Sequence, residues 1–259
     1  MKMNAVLLAG GALDPSDQLF SECEGGLRSL IKINGKPMVQ WVLDVLNKSP
    51  EVQDIYVMGL SQDPGLKSSK PLHFLSGGQT MFENIRQGVL QSAQDHPTRS
   101  KVLLVSSDIP AIQPHMIQWL AEQVAQRPKS WIYYNVVSQE TMESRFPNAN
   151  RSFVRFRDIA VCGGDLNAVD THLFLAERPV WKNLTEARKH PLQQALLLGL
   201  DNLVLVALHM ATLKNIVKRV SRRLSIEASA LQCPFAEMAM DADKPHQLAI
   251  LREDLGESG

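Results

Sequence analysis

Short apolar runs alternate along the chain with stretches whose apolar residues recur every third or fourth position. Runs of the first kind cover residues 5–8, 55–58, 102–105 and 132–137, each ending near Gly, Ser, Asp or Asn. Such lengths and endings predict β-strands. The stretches 38–46, 81–93 and 115–125 carry the helical spacing instead. Pro37 and Pro114 stand where first-turn residues belong, since that position needs no N–H. A strand–helix alternation of this kind predicts an α/β fold, with a mostly parallel Rossmann-like sheet and helices on both faces. Ligands of such sheets bind beyond the carboxyl ends of the strands, which directs the search to the residues after Leu8, Met58, Val105 and Val137.

The second half is less regular. Residues 153–156 and 159–161 read as a hairpin, 183–200 and 211–222 as helices, and 236–240 as a last strand before a closing helix. No linker rich in Pro, Gly or Ser divides the chain. The expectation is a single domain over 1–259, with a helical insertion at about 183–235.

Composition narrows the function classes. The 259 residues hold 27 Lys and Arg against 27 Asp and Glu, so no cationic surplus exists for coating nucleic acid. The basic run 213–224 reads as the solvated flank of a helix, because its apolar residues keep helical spacing. Cys23, Cys162 and Cys233 are odd in number and far apart, which disfavours a disulfide framework or thiolate zinc site and fits a reducing compartment. The apolar stretch at the start is too short for a signal-peptide core or a membrane span. A cytoplasmic protein with no membrane partner is expected.

Three places carry chemistry on their own residues. The first strand ends in Leu8-Ala9-Gly10-Gly11, a turn whose N–H groups can converge on phosphate oxygens. Its spacing is neither that of a dinucleotide fingerprint nor that of a P-loop. Gly77-Gly78 forms a second glycine turn before a helix. Asp108, in Ser106-Ser107-Asp108-Ile109-Pro110, follows the third strand, where a carboxylate suits a hard divalent cation with places left for phosphate.

Taken together, Leu8-Ala9-Gly10-Gly11, Arg28, Gly35-Lys36-Pro37, Asp108 and the tail Asp241-Ala242-Asp243-Lys244-Pro245 resemble the signature of MobA-like NTP transferases, within the GT-A-like nucleotidyltransferase superfamily. Arg28 stands where that family has a lysine, keeping the charge but replacing an ammonium by a planar fork. The loop 11–27 has no basic residue and carries Asp14, Asp17, Glu22 and Glu24. Gly77-Gly78, Asn84 and Gly88 resemble a segment that holds base and ribose in related cytidylyltransferases, with Asn84 and Met81 in place of its Ser and Arg. Arg151, Gly163, Gly164 and Asp165 resemble a subgroup's acceptor-facing segment, and Gln247 replaces an Asp at a helix start.

The resemblance implies a GT-A-like fold and transfer of a nucleoside monophosphate from an NTP to a small phosphorylated or acidic acceptor, releasing pyrophosphate. It further implies Mg2+ on Asp108 and Asp243, catalysis by these two with Arg28, and nucleotide contacts from Leu8, Ala9, Gly10, Gly11, Arg28, Gly77, Gly78, Asn84 and Asp108. Lys36 is a further candidate for holding pyrophosphate. A homodimer is compatible with this reading. Two alternatives stay open: a GT-A-like glycosyltransferase using a nucleotide-sugar, whose internal D-x-D is disrupted here by Pro110, and a non-catalytic nucleotide-binding regulator.

Overall fold

The computed structural model describes residues 1–23, 25–78, 80–175 and 205–257. Among these, nine strands make one mixed sheet, in the order of the strands that begin at residues 72, 52, 3, 101, 166, 132, 160 and 154, with the strand that begins at 228 branching off the one at 132. Its parallel heart is β1 (Met3–Leu8), flanked by β4 (Val52–Met58) and β6 (Lys101–Ser106). β1 and β6 are buried throughout except at their last residues, Leu8 and Ser106. Both faces of these strands are covered, so they read as unbroken apolar runs rather than alternating ones.

The faces are covered by helices whose apolar stripes match the spacing in the sequence. On one face lie α1 (Met38–Lys48) and α3 (Pro114–Gln126), burying Val42, Leu43, Ile117 and Leu120 among others in the larger core. On the other lies α2 (Met81–Asp95), which buries Val89 against Val6, Tyr56 and Met58. Pro114 opens α3 as its first residue, whereas Pro37 is the cap just outside α1 and ends the small hairpin of β2 (Lys32–Ile33) and β3 (Lys36–Pro37). Thr80 and Glu83 close a reciprocal capping box at the start of α2, at 3.0 Å each way.

Antiparallel pairing enters with β10 (Leu166–Asp170), which lies between β6 and β7 (Ile132–Ser138). The hairpin expected at 153–161 is present as β8 (Val154–Arg155) and β9 (Ala160–Gly163). Two short helices follow β7 and β10: α4 (Gln139–Arg145) and α5 (His172–Leu175).

Several expectations need correction. β5 (Leu72–Leu75) and β10 were missed, being four and five residues long with polar residues between the apolar ones. The segment 236–240 is no strand: Ala236–Ala239 is a 3-10 turn, and the last strand is β11 (Ala228–Cys233), parallel to β7. β11 lies inside the span expected to be a helical insertion, so helix in that span gives way to sheet at 228. Its sequence ASALQC has no β-branched or aromatic residue; sheet position rather than propensity makes it a strand. The expected helix at 211–222 is α6 (Leu213–Leu224), that at 183–200 lies outside the described residues, and α7 (Pro245–Glu257) closes the chain.

Candidate active site

Beyond the carboxyl ends of β1, β4 and β6 lies a cleft of about 620 Å³. Leu8, Ala9, Gly10 and Gly11 line it from the end of β1. Gly77, Gly78, Thr80, Met81 and Asn84 enter from the turn before α2, and Arg28 and Asp108 from the far side. Every residue expected to touch nucleotide therefore borders one space.

The glycines are there because backbones meet. A Cβ on Gly10 would stand 2.9 Å from the Gly59 Cα, and one on Gly59 would drive into the Gly10 Cα. Gly59, with φ +92°, also occupies the left-handed region that favours glycine. The ends of β1 and β4 touch without side chains between them, and the Ala9 N–H donates to the Met58 carbonyl at 2.9 Å. The Ser29 hydroxyl donates to the Ala9 carbonyl at 2.7 Å, fixing the turn from its other side. Asn84 accepts the Gly78 N–H at 2.6 Å, so it organises the second glycine turn.

Asp108 follows β6 and accepts the Ser106 hydroxyl at 2.5 Å. Asp243 comes from the loop before α7, and the Ala242 N–H beside it donates to the Asp108 carbonyl at 3.0 Å. The tail loop is thus brought beside Asp108, near enough for the Asp243 charge to act on it although 135 positions separate the two in the sequence, while Asp243 itself does not line the cleft. Burial and then the Asp243 charge push Asp108 above the ordinary carboxylate range, against the Ser106 bond and Arg28. Arg28 pairs with Asp243 and reaches Asp17 at 3.5 Å, so the acidic loop holds the cation of this site. Gln247 is buried and accepts the Asp243 N–H at 3.2 Å, the helix-start role expected of it.

A second group of charges adjoins the first. Arg151 pairs with Asp241 and lies 4.0 Å from Asp165, whose own N–H and carbonyl are tied to Met238 at 2.7 Å and Ser106 at 2.9 Å. Arg151 is therefore a partner of two carboxylates rather than a free cation. Gly163 leaves room for Tyr134, whose hydroxyl occupies the space where a Cβ would stand. Asp165 is pushed up to about 8, first by burial and then by Asp108 and Asp241. Asp241 is raised to about 6, again by burial first and against Arg151.

The Asp165 value has a stability consequence of definite sign. Its ordinary value is 3.8, so between about pH 4 and about pH 8 the folded chain binds a proton that the unfolded chain lacks. Stability of the ligand-free protein is lost as pH rises through that window. Asp165→Asn should flatten the loss, raising Tm at about pH 8 far more than at about pH 5. Parallel Tm profiles for the two proteins would refute the assignment.

Which residues suit a cation can be tested on the donors present. Asp108 and Asp243 offer hard oxygen ligands, burial and mutual repulsion raise Asp108, and the Asp165 Oδ2 nearby is buried with no hydrogen-bond partner. A divalent cation fits such a deficit of positive charge. Among the described residues no group of three or more His, Cys, Asp or Glu side chains forms a metal cage. Of the two acids only Asp108 lines the cleft, and Asp243 is paired with Arg28.

Two expectations on position fail. Lys36 does not line the cleft: its ammonium pairs with Asp44 at 2.9 Å and lies 3.4 Å from the Trp41 ring centre. The end of β7, after Val137, is likewise absent from the cleft, and Asp165 at the start of β10 stands next to Asp108's strand instead. Sequence reading missed Ser106, Ser29 and Gly59. Only Gly59 left a signal, as a glycine directly after a strand.

Residues 5–210 match the MobA-like NTP transferase domain. A hypothetical transferase from Thermus thermophilus shares 28% identity at a TM-score of 0.80, covering 96% of this chain and 100% of that one. CMP:2-keto-3-deoxy-manno-octonic acid synthetase, solved with CTP, shares the fold at a TM-score of 0.59 and 12% identity, over 100% of both chains. So does 4-diphosphocytidyl-2C-methyl-D-erythritol synthase from Anaerococcus prevotii, at 0.58 and 10%, over 98% of this chain and 96% of that one. No curated protein matches in sequence. Two glycine turns and an acid at the ends of neighbouring strands thus have their explanation in descent: the chain belongs to the MobA-like NTP transferase family and is a nucleotidyltransferase.

Proposed function

We propose that the enzyme moves a nucleoside monophosphate from an NTP to a small phosphorylated or acidic acceptor, with Mg2+, and releases pyrophosphate. The observation that carries this reading is the convergence of two glycine turns, Arg28 and Asp108 on one cleft, with Asp243 tied to this group through its ion pair with Arg28 and the Ala242–Asp108 backbone bond. An acceptor oxygen attacks the α-phosphorus as the bond to the bridging oxygen breaks, in line and with charge growing on the departing pyrophosphate.

N–H groups of the Gly10-Gly11 turn face that charge without side-chain screening. Arg28 exchanges Asp17 and Asp243 for phosphate oxygens as the nucleotide arrives, and its fork then neutralises the leaving group. Asp108 and Asp243 would hold Mg2+, which when bound orients and neutralises the triphosphate. Asn84 keeps Gly78 in place on the nucleoside side. Arg151, Gly163, Gly164 and Asp165 form the acceptor side, where Arg151 acts by positioning Asp165 between fixed charges.

The test needs no knowledge of the acceptor at its first stage. Stabilisation by each of the four NTPs with magnesium identifies the donor, and pyrophosphate release with candidate acceptors identifies the reaction. Arg28→Ala should lower pyrophosphate release by about 10²–10³-fold, as loss of one charge-stabilising donor does. Release of a free nucleoside diphosphate from a nucleotide-sugar, without pyrophosphate from any NTP, would overturn the reading.

A further inference from the structure

The basic helix α6 has no part in the cleft, and its surroundings are unlike the rest of the molecule. Leu213, Ile216, Val217, Val220 and Leu224 are half-buried, and the helix packs along β11, so its cationic side faces out. Lys214, Lys218 and Arg222 are exposed, while Arg219 and Arg223 have partners of their own. In a chain whose charges balance overall, residues 202–226 contain no carboxylate.

Two further features adjoin the helix. Leu208 and Met210, just before it, are 61% and 60% exposed. The exposed Arg155 and Arg157 stand on the neighbouring hairpin, whose Arg157 N–H donates to the Ala211 carbonyl at 3.0 Å.

We infer that this face, α6 with Leu208 and Met210, binds the surface of an anionic lipid membrane. Cations attract the headgroups, and the two apolar side chains enter the boundary beneath them, the two-part attachment that peripheral proteins use. A nucleic acid would use the cations but not bare aliphatic side chains, and among the described residues of 205–224 no Phe, Tyr or Trp stands ready to stack on a base, His209 being the one ring there. No described helix is long and apolar enough to cross a membrane. The expectation of no membrane partner rested on that lack of a span, which does not bear on attachment to a surface. The inference is independent of the acceptor and of the metal.

Sedimentation of the full chain with vesicles tests it. Vesicles of phosphatidylcholine with roughly one part in three phosphatidylglycerol should bind the protein, and pure phosphatidylcholine should not. High salt should release it. Lys214→Gln, Lys218→Gln and Arg222→Gln together should weaken partitioning by about 100-fold, about fivefold for each cation removed. Leu208→Ser with Met210→Ser should weaken it by about tenfold or more. Absence of vesicle binding, equal binding to both vesicle types, or triple-variant binding like the parent's would overturn the inference. So would retention of single-stranded DNA at a salt concentration where vesicles are not bound. The salt and lipid dependence of the unaltered chain decides the matter even if a variant fails to fold.

Discussion

Asp108→Asn is expected to reduce pyrophosphate release by about 10³-fold, the upper range for removing one charge-stabilising group. The same substitution should abolish magnesium-linked stabilisation by NTP. For the parent, a nucleotide at 100 times its dissociation constant adds about 2.7 kcal/mol, which in a chain of this size raises Tm by about 5–10 °C. The ligand-free variant should be no less stable than the parent, because the residue removed is an acid pushed above its ordinary range by burial and by Asp243. Loss of the ligand shift without loss of ligand-free stability is therefore the diagnostic pair. An Asp108→Asn protein that still shows the full shift and releases pyrophosphate would place the chemistry elsewhere.

The largest stability effect is expected at Gly59. Alanine there adds a left-handed backbone cost of about 1–2 kcal/mol to an intrusion on the Gly10 backbone costing about 1–3 kcal/mol. The sum lowers Tm by roughly 10 °C. Gly65→Ala is the control, because Gly65 has φ +88° with nothing within 4 Å of an added Cβ, so it incurs the backbone cost alone. Gly10→Ala isolates the other half, an intrusion without a positive φ. Thermal unfolding of the three variants should rank Gly59→Ala as the most damaging, and equal Tm values for Gly59→Ala and Gly65→Ala would refute the close approach.

Parts of the fold were legible because their signals are local. β1, β4, β6 and β7 are four apolar runs, and α1, α2 and α3 show helical spacing, each within two or three residues of its observed bounds. β10 and β11 were not legible, because their strand character comes from neighbours: β10 is inserted antiparallel between two strands, and β11 is an Ala- and Ser-rich segment held along β7. The site divides in the same way. Gly10, Gly11, Gly77, Gly78 and Asp108 announce themselves at the ends of strands, whereas the tail residue Asp243 was found through family resemblance. What no sequence pattern carried is the pairing among charges: Arg28 held by Asp17 and Asp243, Arg151 by Asp241, and Lys36 turned away to Asp44. Such pairings depend on loops that meet only in the folded chain.

The bare crossing of β1 and β4 bears on how this family can diversify. The Gly10-Gly11 turn offers the cleft no side chain to exchange, and any side chain added at Gly10 or Gly59 damages the scaffold before it alters what the cleft holds. Mutational drift is thereby channelled to neighbouring positions whose side chains hold no backbone, such as the exposed Met81. Change in what the cleft accepts is thereby confined to one rim, while the crossing itself is inherited unaltered.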